Sequence, residues 1–416
     1  DADYFTRFEN DTRDFNTQAV FPNGAAVYVP AQNRTEAKQN IDIRSVKADI
    51  LLPYEIAEIS IGAKASSIHT ISDNRFSVVR SEQYIADPLR SDRFDYEENT
   101  QAIYASLMKE WEKWETQFGL RVETTQTTGT SLAMSQTVRN NYFQLFPTAY
   151  VQYKPNDRNV FNINYSRRVG RPSYEELNPF RVYGTGSSYI AGNPFLRPSF
   201  YHTVELSYSL NSKYIFTAYT GIVNNIHARI SRIDTANKTF FLTNDNAGTA
   251  INTGISATLM LNPFEWLESN IQLQYYYDKV NSDYYDAPAT RNGVAAFDAQ
   301  VTNSLRLNND QTLLAEAGFM YSSGFQYDFF IRSPYSVLSA GIKALFLDKQ
   351  LVLAINASDI LRTEKYVYEN IYNGLIQDSY FDARSLNISL NWKFGNKKIK
   401  AARQRETETD EIRRAE

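Results

Sequence analysis

The stretch Ser385–Phe394 reads SLNISLNWKF. Leu386, Ile388, Leu390, Trp392 and Phe394 alternate with Ser385, Asn387, Ser389, Asn391 and Lys393. A period of two is the signature of a β-strand with one apolar and one polar face, whereas a helix would scatter both sets around its axis. The same alternation recurs upstream. Trp114, Thr116, Phe118, Leu120 and Val122 oppose Glu115, Gln117, Gly119, Arg121 and Glu123. Phe161, Ile163 and Tyr165 oppose Asn162, Asn164 and Ser166. Val204, Leu206, Tyr208 and Leu210 oppose Thr203, Glu205, Ser207 and Ser209. Ile271, Leu273, Tyr275 and Tyr277 oppose Gln272, Gln274, Tyr276 and Asp278, and Phe297, Ala299 and Val301 oppose Asp298, Gln300 and Thr302. The stretches 213–230 and 334–346 mix the two faces.

Connections carry a second period. Short polar turns fall at Pro53–Glu55, Glu110–Lys113, Lys154–Asn159, Asn211–Lys213, Asn262–Phe264, Asn308–Asp310 and Leu347–Gln350. Long ones fall near 73–96, 127–140, 172–200, 281–295, 324–333 and 362–380. The short 231–238 connection is the exception on the long side. Alternating short turns and long loops describe an antiparallel up-and-down transmembrane β-barrel. We count about fifteen strands between residues 39 and 394, with one more expected within 1–38. Sidedness follows. If the short turns are periplasmic, the last strand runs toward the periplasm and the C-terminus lies there.

Composition agrees. The 416 residues include 29 Tyr, 25 Phe and no Cys, with 43 basic against 47 acidic residues for a net charge of −4. The aromatics exclude a disordered chain, and the charge balance argues against nucleic acid as a partner. Without cysteine there is neither a disulfide scaffold nor a thiolate metal site. No apolar run reaches 18 residues, so no transmembrane helix is expected, but a barrel hides its apolar residues at alternate positions. Inward-facing Gln272, Gln274, Asp278, Arg306 and Glu205 suit a hydrated lumen rather than the interior of a soluble sandwich. Aromatic clusters at Tyr142, Phe143 and Phe146, Tyr275–Tyr277, Tyr284 and Tyr285, Phe329 and Phe330, and Tyr366 and Tyr368 are expected to form girdles against outer-membrane lipid. Phe394, closing the last strand, suits recognition by barrel-assembly machinery. The wall is therefore placed at 1–394. Residues 395–416 form a charged, solvated tail, partly helical near 397–405.

Several stretches also resemble one family. FDYEENTQAIYA (94–105), GLRVET (119–124), YFQLFPTAYVQY (142–153), YSRRVGRPSYEELNPF (165–180), GNPFLRP (192–198) and the closing LNWKFGNKK (390–398) occur in family order. They resemble the barrel region of TonB-dependent receptors, in the branch with a carboxypeptidase-regulatory-like N-terminal domain. The resemblance implies an outer-membrane transporter of about 22 strands with a plugged lumen. It implies uptake energised by a periplasmic transducing protein acting through the plug, and it admits a surface lipoprotein as a further partner. The plug, its coupling box and roughly six family strands are not in this sequence. Asp1 is accordingly expected to begin a mature or truncated chain.

The 172–200 loop is the candidate site. Arg167, Arg168 and Arg171 stand at its base, and Pro172, Pro179, Pro194 and Pro198 stiffen it. Asn178 and Asn193 precede prolines, where Asx turns form, and Gly192 is expected to adopt a backbone conformation closed to other residues. One reading is a stiff cap whose arginines pair with Glu175 and Glu176. The other is a ligand-binding mouth of Arg168, Arg171, Asn178, Arg181 and Asn193. Asp278, Asp283 and Asp286 lack the spacing of an EF-hand, the three histidines are far apart, and no catalytic, cofactor or metal motif appears. An enzyme is not expected. The alternative to transport is a non-transporting outer-membrane scaffold presenting loops to partner proteins, and a weaker one is a passive pore.

Overall fold

The computed structural model describes residues 2–17, 31–80, 83–88, 90–185, 188–234, 239–282, 293–370, 374, 376–379, 382–394 and 414. Sixteen long strands build one continuous wall. They are β1 (Ala2–Thr17), β2 (Ala31–Pro53), β3 (Glu58–Arg80), β4 (Asp92–Glu110), β5 (Trp114–Ser131), β6 (Gln136–Asn156), β7 (Asn159–Gly170) and β8 (Ser199–Leu210). They continue as β9 (Tyr214–Asn224), β10 (Thr249–Phe264), β11 (Leu267–Asn281), β12 (Val294–Arg306), β13 (Leu313–Ser322), β14 (Tyr335–Phe346), β15 (Leu351–Ser358) and β16 (Ser385–Trp392). Each is antiparallel to its chain neighbour. The expected fifteen strands and the additional N-terminal one are all present. Among the described residues β1 pairs only with β2 and β16 only with β15, so the wall has two free edges.

The two faces sort as the alternation requires. Outward, Ile103, Phe118, Leu120, Phe143, Ile163, Leu206, Phe216 and Ile255 are exposed apolar side chains, as lipid contact demands. Inward, polar side chains bond across strands. Gln152 Nε2 donates to Asn162 Oδ1 at 2.7 Å, Asn162 Nδ2 to Ser207 Oγ at 3.1 Å, and Gln274 Nε2 to the Tyr219 hydroxyl at 2.6 Å. In hydrocarbon these groups would go unsatisfied at a cost of several kcal/mol each, which fixes the register.

An aromatic belt runs along the short-turn end. Trp114, Tyr153, Phe161, Tyr208 and Phe216 follow one another across five strands, with ring centroids 4.3, 6.3, 4.7 and 6.5 Å apart. Only part of the expected girdle falls on the lipid face. Tyr275 and Tyr277 are exposed, but Tyr142 and Phe146 face inward, Phe329 is buried among the loops, and Tyr366 stacks on Arg332. Clustering along the chain identifies strand ends but not which face an aromatic takes.

Strand lengths are unequal. β2 and β3 have 23 residues each, whereas β15 and β16 have 8. On β5 the outward face is apolar from Trp114 to Val122 apart from Thr116, and polar from Thr124 to Thr130. Nine residues at ~3.3 Å each, tilted by about 40°, span roughly 23 Å, close to the height of a lipid-facing band. The rest of β5 stands beyond it. Much of the loop expected at 127–140 is therefore strand, with only 132–135 turning between β5 and β6.

The 213–230 stretch is corrected. The wall strand stops at Asn224, and Asn225 takes a left-handed φ of 55°. Residues 227–234 and 239–246 then form a hairpin outside the wall, and the 239–246 strand pairs in parallel with 188–191, which pairs with 181–185. The mixed faces had this cause. A second small sheet joins 326–327, 330–332, 366–370 and 376–379. Tyr284 and Tyr285, Asp283 and Asp286, and the helix expected near 397–405 lie outside the described residues.

Candidate functional site

The connection after β7 folds into the lumen. Its one-turn helix α1 (Tyr174–Leu177) has a capping box: Ser173 Oγ accepts from Glu176 N at 3.2 Å, and Glu176 Oε2 accepts from Ser173 N at 2.8 Å. Tyr174, Leu177 and Leu196 bury themselves against Ile41, Ile43, Ile68, Phe94 and Tyr96 on the inner face of β2, β3 and β4. Asn178 and Asn193 make the expected Asx turns, accepting from Phe180 N at 3.1 Å and Phe195 N at 2.9 Å. Asn193 also donates to Asn244 O at 3.1 Å, and Asn244 donates to Glu176 at 2.9 Å, stapling the loop to the hairpin. Gly192 differs from expectation, because its φ lies outside the left-handed region. What it provides is space, since a Cβ there would lie 2.4–2.6 Å from the carbonyl oxygens of Asn178, Glu176 and Glu175.

The arginines at the loop base do not pair with Glu175 or Glu176. Arg171 reaches along the inner face past β6, bonding Glu123 through Nη2 and lying 3.6 Å from Glu98 through Nε. Glu123 also holds Arg121 at 2.7 Å, and Glu98 accepts from the Tyr96 hydroxyl at 2.8 Å. Arg414, the only tail residue beyond Phe394 among those described, completes the cluster. It donates to both Glu98 oxygens at 2.8 and 3.0 Å and to the Pro172 carbonyl at 3.1 Å, with its guanidinium over Tyr174. Composition alone predicts a solvated position for it. Both glutamates are almost fully buried, so each must be paired to remain charged. Arg167 bonds Gln144 at 2.7 Å and covers Phe200, while Arg168 sits opposite Tyr201.

The expected mouth therefore splits. Arg171 belongs to the lumenal ion cluster, Arg168 to the β7 wall and Asn178 to the loop's own turn. Arg181 and Asn193 line a cavity of about 490 Å³ at the long-loop end, formed by residues 90–92, 133–134, 179–181, 189 and 191–195, with Arg232, Phe241, Thr243 and Asp245 of the hairpin strands. Two further arginines, Arg90 and Arg232, line it and escape the sequence reading. Tyr189 and Phe241 line it and stack 5.0 Å apart, and Tyr183 and Phe76 continue the row at 5.4 and 5.1 Å with their rings tilted. Arg90 lies over Phe76 and Tyr183, and Arg181 over Tyr189.

The remaining connections knit together beside it. Phe329 is fully buried with Ala228 and Ile230 of the hairpin and with Ile226 just before it. Its neighbour Asp328 accepts from Arg229 N at 3.4 Å, and burial pushes this carboxyl up from its ordinary value. Arg332 is enclosed by Phe325, Tyr335, Tyr366 and Tyr368. Elsewhere His69, Asp95 and Glu97 place one ligand atom each within 4.8 Å on the outward face of β3 and β4, with His69 and Asp95 bonded at 3.0 Å. Nothing in the spacing of the histidines announces this trio.

Residues 1–392 match the outer membrane protein beta-barrel family. The comparison with curated proteins returns no match. Among solved structures, the chain is similar to the ferric yersiniabactin uptake receptor FyuA of Yersinia pestis, at 12% identity and a TM-score of 0.57, covering 94% of this chain and 59% of that one. It is similar to the copper transporter OprC at 11% and 0.61, covering 94% and 63%. It is also similar to the siderophore receptor PiuA of Acinetobacter baumannii at 13% and 0.59, covering 94% and 65%. The chain thus spans less than two thirds of the length of these proteins, and at such identity the likeness is one of fold.

Proposed function

The chain belongs to the outer membrane protein beta-barrel family, and on that premise we propose that it is the barrel wall of an energised uptake receptor. The long-loop end faces outward and captures the ligand; the short turns and the end of the last wall strand face the periplasm. A plug carried by the rest of the polypeptide closes the lumen and couples it to a periplasmic energy-transducing protein. A surface lipoprotein can lid the outer loops, and barrel-assembly machinery reads the strand that ends in Phe394.

One observation carries the reading. The outer connections are folded against one another into a cavity, directly above a lumen lined by polar side chains. A purely structural wall needs neither feature, whereas a receptor needs both, a capture site and a hydrated path below it. The test is the intact mass and N-terminal sequence of the protein purified from native outer membranes. A polypeptide with a plug and a coupling box supports energised uptake. A plugless polypeptide that conducts ions in planar bilayers refutes it in favour of a passive pore.

A further inference from the structure

We infer that His69, Asp95 and Glu97 bind a divalent transition-metal ion of the Zn²⁺ class on the outer face of the wall, beyond the lipid-facing band. The inference is independent of the receptor reading.

Strand register brings the three side chains together. His69 on β3 stands directly opposite Glu97 on β4, and Asp95 lies two positions along β4 on the same face. His69 Nε2 and Asp95 Oδ1 are 3.0 Å apart, and one ligand atom from each of the three residues lies within 4.8 Å of the other two. Tetrahedral Zn²⁺, with bonds of about 2.0–2.1 Å, needs its ligand atoms about 3.3 Å apart. The trio therefore has at most about 1.5 Å to close (4.8 less 3.3). Glu97 is exposed, and His69 and Asp95 each keep 41% of their side-chain surface, so side-chain rotation can close that distance without moving the backbone.

Charge favours a cation there. Among the described residues neither Asp95 nor Glu97 has a lysine or arginine in ion-pair range, and Asp95 is paired only with His69. Arg93 and Arg44 stand on the same face, opposite Asp73 and Ser67, and pair with neither carboxylate. On the other side of His69 the residue directly opposite is a third carboxylate, Asp42, which accepts from the Tyr4 hydroxyl at 3.1 Å and from Asn40 Nδ2 at 3.2 Å. The facing positions on β5 are Thr128 and Thr130, which carry no charge. An imidazole among the ligands selects Zn²⁺, Ni²⁺ or Cu²⁺ over Ca²⁺ and Mg²⁺, which take oxygen donors. Three protein ligands leave a tetrahedral ion one position for water.

Height makes the site accessible. Ile103 of β4 is level with Val122, where the apolar face of β5 ends. Glu97 lies six residues further along (103 less 97), roughly 15 Å at ~3.3 Å per residue and a tilt of about 40°. An ion bound there would tie β3 to β4 where no hydrocarbon supports them.

The test is titration calorimetry with Zn²⁺ and with Ca²⁺ on the untagged full-length protein in detergent, with X-ray absorption at the zinc edge on the loaded protein. One Zn²⁺ per chain, held by one imidazole and oxygen donors and not displaced by excess Ca²⁺, is the expected result. H69A and E97Q should each weaken binding by about tenfold or more, since even outer-shell partners of a metal ligand are worth about 10–100-fold. H202A should leave it unchanged, and circular dichroism and melting of all three variants in the absence of metal should match the parent. Zn²⁺ should slow hydrogen exchange in 67–71 and 95–99 of the parent but not of H69A. Zn²⁺ affinity untouched by H69A and E97Q would mark an adventitious ion only and overturn the inference, as would a zinc edge without imidazole scattering or displacement by Ca²⁺. None of these outcomes touches the receptor reading, which stands or falls on the plug and its coupling box.

Discussion

Replacing Gly192 by alanine isolates the packing of the lumenal loop. The new methyl would meet three carbonyl oxygens, of Asn178, Glu176 and Glu175, at 2.4, 2.5 and 2.6 Å. Ordinary contact begins near 3.4 Å, so the two strands of the loop must separate by roughly 0.8–1.0 Å (3.4 less 2.6 or 2.4). All three atoms are backbone, and no rotamer change relieves the contact. That separation breaks Gly192 N to Asn178 O (2.9 Å) and Asn193 N to Glu176 O (2.6 Å). Overpacking costs about 1–3 kcal/mol, and each lost hydrogen bond about 1 kcal/mol more. The loop's closed state should lose about 3–5 kcal/mol, so local opening becomes at least 100-fold more frequent. Because φ at Gly192 is not left-handed, alanine brings no conformational strain of its own. Native-state hydrogen exchange read by mass spectrometry is the assay. Protection should collapse in 172–198, while the amides of β5, β6 and β7 and the melting of the wall stay as they were. Unchanged protection of 172–198 would show that the loop is not held by this close approach, and loss of the wall would show that loop and barrel fold as one unit.

Three further outcomes follow from the same geometry. R171Q leaves Glu123 and Glu98 facing each other with one guanidinium fewer, and breaking a buried pair costs about 3–5 kcal/mol; chemical denaturation should reveal it, with part of the loss recovered in the R171Q/E123Q double variant. Leu206→Arg, on the lipid face, should impair insertion by about 2–4 kcal/mol if it lies near the midplane, whereas Gln274→Arg, on the inner face, should insert normally; folding into vesicles separates the two. Burial raises the Asp328 carboxyl, so the folded loops bind its proton more tightly than the unfolded chain does. Its contribution is therefore full below about pH 3.8 and lost as pH rises through the raised value. Exchange in 226–230 and 323–334 should accelerate across that window, and D328N should remove the dependence.

Strands and turns were legible where one rule acted alone. Ser385–Trp392 alternates without exception and forms a strand throughout. The reading failed at Asn224–Asn225, where a left-handed asparagine ends a wall strand inside an apolar stretch; the Asn–Asn pair was the available signal. It failed for Arg171 because its partners come from β4 and β5. Their identity depends on which of many glutamates face inward at the same height. Asn178 and Asn193 were legible because an Asx turn is local. Arg90 and Arg232 were not, since their cavity is assembled from connections far apart in sequence that meet only when the wall curves.

The unequal strands have a consequence for access. On the side of β2 to β6 the wall continues past the lipid-facing band for some nine residues of β5, roughly 23 Å of height. The cavity reaches that summit, since part of its lining comes from the connections that join β3 to β4 and β5 to β6. On the side of β15 and β16 the strands are short. The rim is thus a sloping collar, and its tall flank screens the cavity from the lipid headgroups. In the proposed receptor a ligand arrives from open water instead of along the bilayer, and then descends a staircase of polar rungs. The low flank is where a neighbouring protein could lean across the mouth without first displacing the wall.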